Sequence, residues 1–244
     1  MSVAVVIPAR LGSTRLPRKA LAEIAGEPMV VHVWRRACQA RGIAAVLVAT
    51  DAEEIAAAVR AVGGEAVLTR PDHPSGTDRC AEVARGLDAD GILNIQGDLP
   101  MLDPAHVETL ARALATSGAP MVTLATPLGA GEAEREQVVK VVRSLAGDAL
   151  YFSRAPVPHG GAGLRHIGMY GYRREFLFEL GGLAPTPLER AEKLEQLRVL
   201  EHGFRLHVAV VAAGRDMIEV DTAEDLARAR VALAQGEQGA HESA

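Results

Sequence analysis

Apolar runs alternating with helix-like segments constrain this chain more than any other feature. Val3 to Ile7, Ala45 to Ala49, Glu65 to Leu68, Gly91 to Ile95 and Met121 to Ala125 each read as a strand. Between them lie segments with helical periodicity or helix punctuation. Near Met29 to Ala40, Val30, Val33, Trp34 and Ala37 share one face. Thr50-Asp51 reads as an N-cap, with Glu53 and Glu54 in the first turn of a helix that runs to Val62 and stops at Gly63-Gly64. Further helices are expected near Asp78 to Leu87 and Pro104 to Leu114. Strand and helix in alternation specify an α/β protein with a mainly parallel sheet, because a parallel neighbour needs a crossover and the crossover helices cover both faces. Strands buried on both faces lose the polar alternation and become short continuous apolar runs, as here.

Beyond Pro127 the pattern loosens, which suggests an insertion. Lys140 to Arg143, Tyr151-Phe152 and His166 to Tyr172 read as strands of a smaller lobe, linked through Pro156, Pro158 and glycines. A helix is expected over Leu188 to Glu201 and a strand over Leu206 to Val211. Asp221-Thr222 would cap a last helix through Ala234, and residues 236–244 read as a flexible tail. The expected organisation is one domain over residues 1–235, with an embedded subdomain at about 127–187. With 48% hydrophobic and 23% charged residues in 244, disorder and fibre are excluded. No apolar stretch approaches the ~20 residues of a membrane span, and the N-terminus lacks signal-peptide character, so a soluble cytoplasmic protein without membrane insertion is expected. The net charge of −5 offers no general field for nucleic acid, so any phosphate site must concentrate its cations locally. Cys38 and Cys80 support neither a disulfide framework nor a zinc cluster, and both are expected to be buried.

Such a local concentration follows the first strand. Ile7-Pro8-Ala9-Arg10-Leu11-Gly12-Ser13-Thr14-Arg15-Leu16-Pro17-Arg18-Lys19 sets Arg10, Arg15, Arg18 and Lys19 around a Gly/Ser/Thr turn. Loops at the carboxyl ends of parallel strands bind ligands in open α/β sheets, and guanidinium forks with turn N–H groups suit a polyphosphate. A solvated basic surface loop is the competing reading. The loop is neither a Walker A sequence nor G-x-G-x-x-G, which weakens ATPase and dehydrogenase readings. Asp98, after Leu93 to Ile95, and Asp221, after Met217 to Val220, are hard oxygen donors placed where strands end, and they are candidate Mg²⁺ ligands. Asp221 also reads as a helix N-cap, which its Val220-Asp221-Thr222-Ala223-Glu224 context favours on local grounds. The Thr69 to Arg79 segment reads as a base-recognition turn in which Ser75 and backbone groups face polar edges and Arg70 a carbonyl, or as a plain turn with a helix cap. His166 and Tyr170 share a face if they lie on a strand, as pocket lining or as partly buried core. Glu192, Glu195, Gln196 and Arg198 share a helix, for which a solvated charged face is the plainer reading.

Taken together, these motifs resemble those of the 3-deoxy-manno-octulosonate (Kdo) cytidylyltransferases along nearly the full chain. The matching residues are Ile7-Pro8-Ala9-Arg10 with Ser13-Thr14-Arg15-Leu16-Pro17 and Lys19, Val48-Ala49-Thr50-Asp51, Ser75-Gly76-Thr77, Asn94 to Asp98 with Pro100, Ala149 to Arg154, Arg165-His166 through Tyr172, Leu194 to Arg198 and Val220-Asp221-Thr222. The resemblance implies a Rossmann-like three-layer nucleotidyltransferase fold with an embedded sugar-binding and dimerisation lobe, and a homodimer. It implies attack of the sugar acid's anomeric hydroxyl on the α-phosphate of CTP, giving CMP-Kdo and diphosphate for lipopolysaccharide synthesis, with Mg²⁺ required. By the same resemblance, Arg10, Ser13, Arg15 and Lys19 hold the triphosphate, and Arg70, Ser75 and Gly76 lie near the cytosine. Asp98 and Asp221 hold the metal and, with Lys19, carry catalysis. Gln96, Arg154, Arg165, His166, Tyr170, Glu195 and Gln196 form the sugar pocket, where arginine pairs the carboxylate.

The chain departs from the family at several points. Only His159-Gly160-Gly161-Ala162-Gly163-Leu164 separates Pro158 from Arg165, where many relatives have a longer charged segment. Leu99 stands where an acidic residue is frequent, and Glu219 and Arg18 stand where glycine is frequent. Some of these features recur in family members that activate an 8-amino analogue of the sugar. The open readings are therefore a Kdo cytidylyltransferase, one for 8-amino-Kdo or another acidic sugar, and a nucleotide-binding protein without turnover.

Overall fold

The computed structural model describes residues 1–13, 15–160, 163–212 and 218–241, with the backbone alone for 236–241. Thr14 of the cationic loop, Gly161 and Ala162 of the short loop, Met217 and the end of the tail lie outside the described residues. In chain order the strands are β1 (Val3–Ala9), β2 (Glu23–Ile24), β3 (Glu27–Pro28), β4 (Ala45–Thr50), β5 (Glu65–Leu68), β6 (Gly91–Ile95), β7 (Met121–Pro127), β8 (Lys140–Arg143), β9 (Ala149–Ser153), β10 (Leu164–Arg173) and β11 (Leu206–Val210). The α-helices are α1 (Met29–Cys38), α2 (Glu53–Ala61), α3 (Gly76–Ala84), α4 (Pro104–Thr116), α5 (Arg174–Leu180), α6 (Pro187–Glu192), α7 (Gln196–Glu201) and α8 (Ala223–His241).

The main sheet runs β11-β7-β10-β6-β1-β4-β5, with β8 paired to β10 and β9 to β8. Strand β1 pairs in parallel with both β4 and β6. The chain leaves β1 for β4 and β5, then returns to β6 on the other side of β1. This reversal opens a crevice above the carboxyl ends of β1 and β6, which is where such folds bind ligands.

Two apolar layers follow from the strand period of two. Val3, Val5 and Ile7 of β1 pack with α1, α2 and α4, whereas Ala4 and Val6 pack with α3, α5 and α7. Full burial of side chains such as Ile7, Leu93 and Ile95 contributes about 1.5–3 kcal/mol each. A third cluster joins Ile24 and Met29 to Ile218, Val220, Leu226 and Leu233, holding α8 against the first third of the chain.

Four local expectations are corrected by the tertiary structure. His166 to Tyr172 reads in sequence as part of a smaller lobe, but β10 runs antiparallel between β6 and β7 in the middle of the main sheet. An antiparallel strand with one wet end looks alike in sequence wherever it pairs. The register slips by two residues between Ile167 and Tyr170, and a slip of two preserves the side-chain alternation, so His166 and Tyr170 still share a face. The Leu188 to Glu201 helix is two helices: Lys193 turns left-handed at φ 57° and ψ 47°, and α7 buries Gln196, Leu197 and Val199 while α6 buries none of its residues. Thr50-Asp51 does not supply the N-cap of α2, which is Ala52; Thr50 accepts from the Ala52 N–H, and Asp51 pairs with the buried Arg79 instead. Cys38, at the last position of α1, is exposed, and only Cys80 is buried.

Candidate active site

The crevice over β1 and β6 holds a cleft of about 270 Å³ lined by Arg10, Ser13, Arg15, Lys19, Ser75 and Gly76, with Gln96, Gly97, Asp98 and Asp221 opposite. The exit of β6 must pass close to β1: a Cβ on Gly97 would sit 3.1 Å from the Pro8 carbonyl oxygen. Ser75 caps α3, its hydroxyl oxygen accepting from the Asp78 N–H. The positive end of that helix therefore opens on the cleft through Gly76, favourable for an anion.

Lys19 is the centre of the charge arrangement. Its Nζ donates to Asp98 Oδ2 at 2.7 Å and to Asp221 Oδ1 at 3.0 Å, while Arg15 Nη1 stands 3.0 Å from Asp221 Oδ2. Burial by itself would lower the ammonium's pKa, but the attraction and hydrogen bonds of Asp98 and then Asp221 outweigh it and hold the group above its ordinary value. Asp98 Oδ1 is buried with no hydrogen-bond partner among the described residues. The Val220 N–H donates to the Asp98 carbonyl at 2.9 Å, which brings the late segment to the early one. Capping at α8 falls to Thr222 and Asp225, whose side chains exchange hydrogen bonds with each other and with the local N–H groups. The carboxylate of Asp221 is thus left to the cleft.

Glu219 completes an acidic group, since one carboxylate oxygen from each of Asp98, Glu219 and Asp221 falls within 4.8 Å of the others. Its side chain keeps contact with solvent, yet its carboxyl is pushed up by displaced water and then by the like charges of Asp98 and Asp221. Sequence reasoning notes Glu219 only as a departure from the family. The available signal is its place two residues before Asp221, which puts both side chains on one side of an extended segment.

A second cavity of about 230 Å³ shares Gly76 and Gln96 with the cleft and is lined by Thr77, Tyr170, Lys193, Glu195 and Gln196. The Tyr170 hydroxyl donates to Gln196 Oε1 at 3.2 Å, and Gln96 Nε2 donates to Asn94 Oδ1 at 3.2 Å. Burial raises the Glu195 carboxyl, with the Thr77 and Ser75 hydroxyls partly opposing the shift.

His166 stands behind Tyr170, its ring 5.5 Å from the Tyr170 ring and 5.1 Å from that of Phe152. Thr123 Oγ1 donates its single proton to the Met169 carbonyl at 2.8 Å, so His166 Nε2, 2.9 Å from the same oxygen, is assigned as a donor. Burial pushes His166 down to about 3. The folded protein then binds no proton there until about pH 3, while the unfolded chain takes one up near 6.5, so stability falls as pH drops from 6.5 toward 3. His166→Gln removes this loss, of at most about 1.4 kcal/mol per pH unit, and flattens the acid limb of urea unfolding midpoints measured between pH 7 and 4. Parallel profiles in parent and variant would rule the assignment out.

Besides His166, three sequence-predicted residues line neither cavity. Arg70 lies on the surface beside Asp72 and Glu82. Arg154 Nε donates to the Glu192 carbonyl at 2.9 Å and its Nη1 to the Glu136 carbonyl at 3.2 Å. Arg165 Nη1 meets Glu132 at 2.9 Å, and its charge also reaches Glu219. Glu192 is not on a solvated face: it accepts from Ser153 Oγ at 2.7 Å and the Arg154 N–H at 2.8 Å. Arg18, left-handed at φ 55°, points away and pairs with Glu54.

Comparison with known proteins shows the family. A cytidylyltransferase family model matches residues 4–208. The chain is 52% identical over 242 residues to a 3-deoxy-manno-octulosonate cytidylyltransferase of Anaeromyxobacter dehalogenans (strain 2CP-C), covering 96% of this chain and 98% of that one. It is 51% identical over 236 residues to the enzyme of the same name from Myxococcus xanthus (strain DK1622), covering 92% and 96%. The solved structure of a CMP:2-keto-3-deoxy-manno-octonic acid synthetase complexed with CTP superposes with a TM-score of 0.92 at 43% identity, covering 97% of this chain and all of that one. By the family model, the full-length identity and the superposed fold, the chain belongs to the 3-deoxy-manno-octulosonate cytidylyltransferases.

Proposed function

We propose that this protein transfers CMP from CTP to Kdo, releasing diphosphate. The observation that carries the reading is the pair of adjoining cavities sharing Gly76 and Gln96, one ringed by cations around Asp98 and Asp221, the other by hydroxyl, amide and carboxyl groups. The anomeric oxygen forms a bond to the α-phosphorus as the bond to the departing diphosphate breaks. Arg10, Arg15 and Lys19 offset the charge that collects on the diphosphate, which is where transfer of this kind gains most of its rate. Ser13 and the N-terminus of α3 add donors to the triphosphate, and Gln96 at the junction orients the attacking end of the sugar.

A divalent cation fits the acidic group. Asp98 and Asp221 supply hard oxygen donors, and the orphaned Asp98 Oδ1 is a buried acceptor suited to a metal ion. Mg²⁺ bound there would neutralise phosphate charge and acidify the sugar hydroxyl, so no separate protein base is required. Exposed Leu145 and Leu150, at the β8–β9 hairpin, support a homodimer formed through this part of the chain. No helix among the described residues is long and apolar enough to cross a membrane. The same reading places the enzyme in the cytoplasm, where CTP is made available.

Diphosphate release is the direct test. With Mg²⁺ and CTP, the protein should release diphosphate on adding Kdo and stay silent without it. Release with 8-amino-Kdo or a sialic-type acid in place of Kdo would reassign the sugar, and CTP binding with silence toward every sugar would replace the enzyme by a binding protein.

A further inference from the structure

Strand β6 carries one polar side chain, and packing gives no reason for it. Asn94 is 1% exposed in the middle of the sheet, between Leu93 and Ile95, which are fully buried. Its backbone is paired opposite Val6 of β1 and Tyr170 of β10, so the ladder forms whatever the side chain is. An amide buried this deeply is costly unless both of its ends are hydrogen-bonded. Only one end is: Oδ1 accepts from Gln96 Nε2 at 3.2 Å, while Nδ2 has no partner among the described residues. Leucine has nearly the same shape and would bury no orphaned donor, so asparagine here stabilises the fold less than its apolar isostere would. What it supplies is the hydrogen bond to Gln96.

Gln96 is where the two cavities meet, and its side chain has to be held. It follows Asn94 by two residues, which puts both side chains on one side of an extended segment, and it lines both the nucleotide cleft and the neighbouring cavity. At the exit of β6 it is partly exposed, and a glutamine without a partner there samples many rotamers. The hydrogen bond to Asn94 removes that freedom and also decides which end of the amide faces outward. With Nε2 turned to Asn94, Oε1 lies toward α3, where a Cβ on Gly76 would stand 4.0 Å from it. The junction is therefore given an acceptor. A hydroxyl that donates its proton to this oxygen keeps a lone pair for the phosphorus, whereas an amide turned the other way would donate to that lone pair and occupy it.

We propose that Asn94 is a positioning residue that holds the Gln96 amide with its oxygen toward the attacking hydroxyl of the sugar, a role that rests on the cytidylyltransferase reading above. Steady-state kinetics and thermal melts of the full-length protein test it, with Asn94→Leu, Asn94→Asp, Gln96→Ala and the variant combining Asn94→Leu with Gln96→Ala. Asn94→Leu should keep or raise the Tm and leave KM for CTP unmoved, while kcat falls about 10- to 100-fold, the size of effect that a small misplacement at a reacting centre produces. Asn94→Asp keeps an acceptor for Nε2 and should recover part of that loss. Gln96→Ala should show a similar fall, and adding Asn94→Leu to it should lower kcat no further, because the two residues act as one unit. Parental kcat in Asn94→Leu, losses that multiply in the combined variant, or an Asp variant with a parental melt and no recovery overturns the proposal. A melt that collapses together with kcat in Asn94→Leu also overturns it and makes Asn94 structural. A parent that releases no diphosphate with any sugar overturns the enzyme reading instead.

Discussion

Asp98→Asn lowers turnover by about 10³ or more and leaves the protein folded. The substitution keeps the shape of the side chain and an oxygen for Lys19 to donate to, so the 2.7 Å contact has a successor. What it removes is a full negative charge from the one site where the orphaned Oδ1, Asp221 and Glu219 converge. A neutral amide is a poor donor to a hard divalent cation, and electrostatic stabilisation of the transferring group falls with the loss of the ion. Diphosphate release at saturating CTP and Kdo, with Mg²⁺ titrated well above the parent's requirement, measures the effect, and thermal melting checks the fold. Turnover close to the parent's at high Mg²⁺ would sink the metal assignment, and a collapsed melt would make Asp98 a structural residue.

Lys19→Met separates the two roles of the lysine. Its ammonium sits between Asp98 and Asp221 and near Glu219, so removing it leaves carboxylates facing one another with Arg15 on Asp221 and the charge of Arg165 on Glu219 to offset them. Breaking a fully buried pair costs about 3–5 kcal/mol; this site opens to solvent, so about 1–3 kcal/mol is the appropriate range. For a domain of this size that amounts to a fall in Tm of about 2–4 °C per kcal/mol. Mg²⁺ binds the folded state of such a variant with less competition from a protein cation, so added Mg²⁺ should raise the Tm of Lys19→Met more than that of the parent. Turnover should fall by about 10²–10³, since the triphosphate loses a cation placed against its leaving end. A variant with parental Tm in chelator and parental turnover would remove Lys19 from the site.

Local signals were sufficient for much of this. The cationic loop is legible because four cations around a small-residue turn, following a buried strand, form one contiguous segment. The same holds for the Ser75 cap, where the hydroxyl caps α3 as the plain-turn reading expects and the residue also lines the cleft. Asp221 shows the limit. Its surroundings match an N-cap pattern, and only the hydrogen bonds of Thr222 and Asp225 reveal that the cap is made by neighbours. Arg154 and Arg165 line neither cavity, and their partners come only from the tertiary structure, since a motif names the residue and not the direction of its side chain.

The sequence by itself determined the α/β class, the concentration of cations in the first loop and the family, because hydrophobic period, turn chemistry and motif order are properties of neighbouring residues. Tertiary structure decided the rest. It inserted β10 between β6 and β7, broke the helix at Lys193, and set the Lys19 ammonium against Asp98, 79 residues away, and Asp221, 202 residues away. Those contacts depend on crossovers that close long stretches of chain, and no local pattern encodes which strand edge or which carboxylate waits at the far end.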